Sequence, residues 1–343
     1  MMGKSELVFF RRGEIMLTNG KRQKEMVDQP PYVVSSDLAA IFCEWGEACN
    51  ILVPDPGYFS DRVKDIVGVL GTIFSDVRIP DNHSITSLFR QVSEEATSPI
   101  LSIDKIYMSS VLDQGFSGYL SITRAVDPEM NAVGLVSRPV SWDAENVPLY
   151  SLENAVSKIA QEYRQKNITL VDDVIFSGGT ISQIVDVLQE HEIEVNSVVA
   201  GISIGEAKEK LASRGIQLRS AHHYPDVIDE ICCRDFIIGS PYGGRTVIAS
   251  YQVNGAEGTL SSIQYAPYIL SLGNPVKWAT IPKERVRDFS ICMMDISTKI
   301  WSDIQDLNHR YFSTSDLGCR VYRLPERPSV VDAIQDVRGR LSP

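Results

Sequence analysis

No Cys-x-x-Cys pair occurs in the sequence. Its six cysteines, Cys43, Cys49, Cys232, Cys233, Cys292 and Cys319, stand beside no histidine at metal-ligand spacing, which argues against a zinc site. Positive charge is also scarce. The 33 Lys and Arg residues face 44 Asp and Glu, and the net charge of −11 speaks against general binding to nucleic acid or an anionic membrane, which needs a surplus of clustered cations. Long apolar runs are missing too: no stretch approaches about 18 uninterrupted apolar residues. The opening MMGKSELVFFRRGEIML has no hydrophobic signal core, so the expectation is a cytoplasmic protein with reduced thiols and no membrane span. There is no Gly or Pro excess, no low-complexity segment and no internal repeat, while the 43% hydrophobic content is enough to bury a core.

At roughly 150 residues per domain the length predicts about two domains. The patterning divides the chain into an N-terminal segment (1–47), an α/β core (48–225) and a C-terminal hood or accessory region (226–343). SSDLAAIFCEWGEAC opens on cap residues and sets Leu38, Ile41, Phe42 and Trp45 on one helical face. Ile51-Leu52-Val53 then reads as a strand, followed by a turn and the helical DRVKDIVGVL. From about 72 to 148, short runs such as KIYMSSV, GYLSITRAV and AVGLVSRPV predict a β-rich flap. Regular alternation follows, with a helix over Leu152 to Tyr163, the strand ITLVDDV, a helix through Ile181, Ile184, Val185 and Leu188, the strand VNSVVAGIS, the helix EAKEKLASRG and the strand IQLRS. Strands and helices alternating at this spacing imply parallel crossovers, hence a Rossmann-like doubly wound parallel sheet. In the C-terminal third, Val286, Phe289, Met293, Ile296, Ile300, Ile304 and Leu307 form one stripe of a long helix. Core packing is its first reading and a homodimer or partner-protein interface its second.

The segment ITLVDDVIFSGGTI carries the chemistry. A buried strand delivers Asp172 and Asp173 to its carboxyl end, where ligands of open α/β sheets bind. A loop of Phe176, Ser177, Gly178, Gly179 and Thr180 then enters a helix. Glycines let an anion approach the backbone, the helix N-terminus offers free amides, and the hydroxyls add donors. Adjacent carboxylates suit a neighbouring diol, directly or with Mg²⁺. A 5-phosphorylated ribose carries both groups. Three rivals fail on the residues. A Walker loop needs Gly-Lys-Ser/Thr, a dinucleotide fingerprint needs G-x-G-x-x-G, and a receiver domain needs a phosphoacceptor Asp on a later strand, which IQLRSAHHYP lacks.

The run VDDVIFSGGT resembles the 5-phosphoribosyl-1-pyrophosphate (PRPP) motif of the type I phosphoribosyltransferases, with departures at Thr169 and Phe176 that remove no functional group. The resemblance is strong over about 15 residues and loose over about 145–222. It implies the α/β fold of that family and transfer of the phosphoribosyl group of PRPP to a nitrogen acceptor, with release of pyrophosphate. It also implies that Asp172 and Asp173 bind the ribose hydroxyls, that residues 176–180 bind the 5-phosphate, and that Mg²⁺ is held mainly by PRPP. The alternative is a catalytically inactive PRPP- or nucleotide-sensing module on the same fold. The pyrophosphate loop is expected either at Pro54 to Phe59 or at Ser109-Ser110, and the mobile catalytic loop near Arg124 or Ser137-Arg138-Pro139. Arg234, Asp235, Tyr242 and Arg245 read equally as an acceptor-binding hood and as a hairpin with an ordinary ion pair. For His222 and His223 a structural role outweighs acid–base work, and Cys232-Cys233 reads as buried packing.

Overall fold

The computed structural model describes residues 29–104, 117–137, 149–248, 263–317, 320–321 and 323–341. Its central sheet has five strands: β3 (Ile100–Ser102), β4 (Gly118–Tyr119), β8 (Asn167–Ile175), β9 (Glu194–Ile204) and β10 (Gln217–Tyr224). They lie in the order β10-β9-β8-β3-β4, and every pairing is parallel. Helices α4 (Leu152–Tyr163), α5 (Gly179–Glu190) and α6 (Ala207–Ala212) supply the crossovers around β8, β9 and β10. They cover one face by packing on Leu170, Val198 and Ala200. The opposite face, with Val171 and Val199, is covered by α3 (Asn82–Glu95) through Ile85, Phe89 and Val92. The expected doubly wound α/β sheet is therefore present. Gly201 permits the close approach of α3, since a Cβ there would lie 2.8 Å from the Asp173 carbonyl oxygen and 3.2 Å from Ile85.

Two further sheets flank this one. A parallel three-stranded sheet has the order β11-β1-β2, from β1 (Tyr32–Ser35), β2 (Val77–Arg78) and β11 (Asp229–Cys232). A mixed sheet runs β14-β13-β12-β5-β6-β7, from β5 (Ile122–Val126), β6 (Ala132–Ser137), β7 (Tyr150–Ser151), β12 (Arg245–Val247), β13 (Ile263–Tyr265) and β14 (Arg320–Val321). The antiparallel β5/β6 hairpin is the main part of the β-rich flap among the described residues.

The largest apolar cluster joins α1 (Leu38–Cys49) and α2 (Pro56–Gly71) to residues from the C-terminal region, chiefly α8 (Val286–Asn308) and α9 (Val330–Gly339); the short α7 (Pro275–Trp278) packs at its edge. Along α8, Val286, Phe289, Met293, Ile300 and Ile304 are buried, so the stripe faces the chain's own core, and only its last member, Leu307, is exposed. Trp301 sits edge-on to Trp45 at 5.6 Å, and its indole N–H donates to the Ile238 carbonyl at 2.8 Å. No helix among the described residues is long and apolar enough to cross a membrane.

Two local readings change. Ile51-Leu52-Val53 is not a strand. Asn50 turns left-handed to cap α1, the Ile51 amide folds back onto the Gly46 carbonyl, and the Asn308 side chain takes both the amide and the carbonyl of Leu52. A side chain thus satisfies the backbone that a neighbouring strand would otherwise have paired. The stretch expected to be β-rich also contains α3, whose Asp81 cap accepts from the amides of His83 and Ser84. Its signal was local: an Asp cap followed by Ile85, Phe89 and Val92 at helical spacing.

Truncation of Trp301 to Ala removes the ring at the centre of the aromatic cluster and leaves the Ile238 carbonyl without its donor. Denaturant unfolding should show a loss of about 3–5 kcal/mol; a loss below about 1 kcal/mol contradicts this packing.

Candidate functional site

Strand β8 carries Asp172 and Asp173 to the mouth of a cavity of ≈ 490 Å³. Beyond them the chain turns through Phe176 and Ser177 to Gly178, whose φ of +71° is left-handed and strained for any side chain. This turn lets α5 begin at once. No side chain caps α5, so its first amides stay available to an anion in the cavity.

Eleven of the residues singled out from the sequence line this one cavity. Asp172, Asp173 and Phe176 to Thr180 form one wall; Arg234 and Asp235 come to it from the 3₁₀ turn after β11, Tyr242 from the loop that follows, and Arg245 from the start of β12. Arg124, expected near a mobile loop, also lines it and donates to the Thr180 hydroxyl from Nη2 at 3.1 Å and Nε at 3.3 Å. Other candidates lie elsewhere. Phe59 is buried against Phe42 at 5.0 Å and Asp55 caps α2, so Pro54 to Phe59 is absent from the cavity lining. Ser109-Ser110 and Arg138-Pro139 lie outside the described residues, while Ser137 donates to the Leu120 carbonyl. His222 meets the Asp81 carbonyl at 3.1 Å and His223 the Ser203 hydroxyl at 3.0 Å, and neither lines the cavity.

The electrostatics are governed by crowded carboxylates. Asp172 is pushed well above the usual carboxylate range by burial first, then by Asp173 and Asp104. Asp173 is raised by burial and Asp104, against the pull of Arg234. Arg234 pairs with Asp37 and, at 3.5 Å, with Asp104. Burial opposes the charge of Arg234, but Asp37, Cys232 and Asp104 outweigh it and hold the guanidinium protonated. The ion-pair reading of Arg234 is therefore present, but inside the cavity wall. Cys233 is buried packing, whereas Cys232 lines the cavity and donates its thiol to Asp37 at 3.0 Å. Asp37, Cys232 and Cys233 bring ligand atoms within 4.8 Å of one another, but Arg234 already sits as the cation on the Asp37 carboxylate.

Asp104, Asp229, Glu230 and Tyr268 line the cavity and carry no local sequence signal. Glu230 is raised to about 8, by burial first and then by Asp173, Asp229 and Asp235, with Ser35 opposing. The carboxylate oxygens of Asp172 and Asp173 are of the donor type that a hard divalent cation such as Mg²⁺ takes.

No protein-family model matches the chain, and no curated protein matches it. Solved structures give partial likenesses. Orotate phosphoribosyltransferase from Aeropyrum pernix is 16% identical over 41% of this chain and 70% of that one, with a TM-score of 0.25. Adenine phosphoribosyltransferase from Thermoanaerobacter pseudethanolicus is 14% identical over 42% of this chain and 79% of that one, with a TM-score of 0.27. Mycobacterium tuberculosis orotate phosphoribosyltransferase in complex with PRPP is 12% identical over 40% of this chain and 70% of that one, with a TM-score of 0.26.

The raised Glu230 value sets a pH dependence with an unusual sign. Its folded value of about 8 exceeds the ordinary 4.5, so its stabilising contribution is complete below the lower value and is lost as pH rises through the upper one. Thermal unfolding of the ligand-free protein should therefore show stability falling from about pH 5 to pH 8.5. Glu230→Gln should flatten that fall and raise stability at the alkaline end by a few kcal/mol. An equal slope in both proteins refutes the assignment.

Proposed function

We propose that the chain is a phosphoribosyltransferase that binds PRPP and transfers its 5-phosphoribosyl group to a nitrogen acceptor. One observation carries this reading. A strand-end acidic pair and an uncapped helix N-terminus face, across one cavity, a wall of arginine, tyrosine and carboxyl groups contributed by other sheets. The 5-phosphate would lie on the amides at the start of α5, with Ser177 and Thr180 as hydroxyl donors. Asp172 and Asp173 would accept hydrogen bonds from the two ribose hydroxyls and fix the sugar, without acting as nucleophiles.

In the transfer, the bond from the anomeric carbon to the pyrophosphate oxygen breaks with its electron pair leaving on pyrophosphate. The acceptor nitrogen supplies the pair for the new bond, and the proton it gives up passes to the departing pyrophosphate. Mg²⁺ on PRPP would neutralise charge on the leaving group. The chain's own contribution is to position the ribose, hold the acceptor over it and keep water out of the cavity.

The test is PRPP-induced thermal stabilisation in the presence of Mg²⁺. At about 100 times the dissociation constant the wild type should gain about 2.7 kcal/mol. Asp172→Asn with Asp173→Asn should abolish that gain. The ligand-free variant should melt no lower than wild type, because two crowded buried acids become neutral. Full PRPP stabilisation of the double variant overturns the reading.

A further inference from the structure

We infer that Cys232 and Cys233 form a dithiol site in the cavity wall that captures trivalent arsenic. Adjacent side chains on a strand point to opposite faces, so two neighbouring cysteines inside β11 would stand apart. The chain leaves the strand at this point. Cys232 ends β11 with extended backbone (φ −70°, ψ 133°), and Cys233 opens the 3₁₀ turn Cys233–Phe236. Both sulfurs thereby reach the entrance of α1, where Cys232 donates to Asp37 Oδ1 at 3.0 Å and Cys233 to Ser36 Oγ at 3.7 Å. The two sulfurs and the Asp37 carboxylate lie within 4.8 Å of one another, and both cysteines are free thiols. A small side-chain rotation lets one atom bond to both sulfurs.

The surroundings select what that atom is. A zinc-type ion needs deprotonated thiols and a tetrahedral set of four donors. Here Asp37 is committed to Arg234, and no histidine lines the cavity among the described residues. Burial pushes the Cys232 thiol well above its ordinary value, with Cys233 and Asp37 adding to the rise and Arg234 opposing it. The protonated sulfur is a poor target for alkylation or oxidation, which need the thiolate.

Trivalent arsenic needs neither a thiolate nor a carboxylate. An organic arsenoxide (R–As=O) condenses with two thiols: two S–H bonds and the As=O bond break, two As–S bonds form, and both protons leave with the oxygen as water. Arsenic stays trivalent and the product is uncharged, so burial does not oppose it. Cys232 lines the cavity and Cys233 is 0% exposed, so the cavity is the way in and the space for the organic group on arsenic. Capture also takes the Cys232 thiol away from Asp37, one of the two carboxylates paired with Arg234.

The experiment treats the full chain, reduced beforehand with a phosphine, with phenylarsine oxide, and reads the bound arsenical by intact mass after excess glutathione or excess 2,3-dimercaptopropanol. The wild type should keep one arsenical per chain against the monothiol and release it to the dithiol. Cys232→Ser and Cys233→Ser should each weaken retention by about a hundredfold, because a chelate becomes a single bond. Unchanged retention in either variant, or no retention in the wild type, overturns the inference. Proteolytic mapping of the wild-type adduct is independent of how the variants fold: arsenic should stay on a peptide that holds both cysteines, and arsenic on a peptide without them overturns the inference. The loaded chain should also lose the thermal shift given by PRPP with Mg²⁺, and a full shift in the loaded chain contradicts the placement in the cavity wall. Absence of that shift in the unloaded wild type removes the phosphoribosyltransferase reading and leaves the arsenical site standing.

Discussion

A single buried guanidinium holds the candidate site together. Arg234, in the 3₁₀ turn after β11, pairs with Asp37 at the entrance to α1 and reaches Asp104 just beyond β3. Those three positions are 130 and 197 residues apart along the chain, and the ion pairs fasten the three-stranded sheet to the central one. Buried pairs of this kind contribute little net stability over an apolar substitute, yet removing one partner leaves an uncompensated charge and costs roughly 3–5 kcal/mol. Their value here is positional. They set a fixed positive charge behind Asp173 and leave the cavity face of β8 to the ligand.

The remaining carboxylates have no comparable counterion. Asp172, Asp173, Asp229 and Glu230 are all raised, burial being the first cause in each case. Across the cavity, Arg124 and Arg245 lie on the neighbouring strands β5 and β12, with Asp235 and Glu230 acting on Arg245. The cavity thus gathers buried carboxyl groups whose charged forms are disfavoured, a local conflict of the kind that stable folds retain at functional sites. A phosphorylated sugar with a hard cation would satisfy the acidic wall.

Half of this was legible in the sequence because it is local. The strand, acidic pair, glycine turn and helix of residues 168–190 lie within one crossover, and each step follows from hydrophobic period and turn chemistry. The same holds for the alternation through β9, α6 and β10 and for the stripe of α8. The second wall was legible only as a cluster of suggestive residues. Arg245 meets Arg124 because β12 pairs with β5, and Glu230 reaches the cavity because β11 pairs with β1; no window of sequence contains either relation. Asp104 follows a three-residue strand with no glycine-rich turn after it. Ile51 to Val53 mimicked a strand because Ile51 and Val53 fill the edge of a helical cluster, while the backbone of the exposed Leu52 is met by Asn308, 256 residues away.

The most direct test of the account is a calorimetric titration of the unmodified chain with PRPP, with and without Mg²⁺, against ribose 5-phosphate and inorganic phosphate under the same conditions. The account predicts one site, affinity in the order PRPP, ribose 5-phosphate, phosphate, and a marked loss of PRPP affinity when Mg²⁺ is withheld. Equal binding of all three, or no binding of PRPP, contradicts it, because the acidic pair would then hold no ribose.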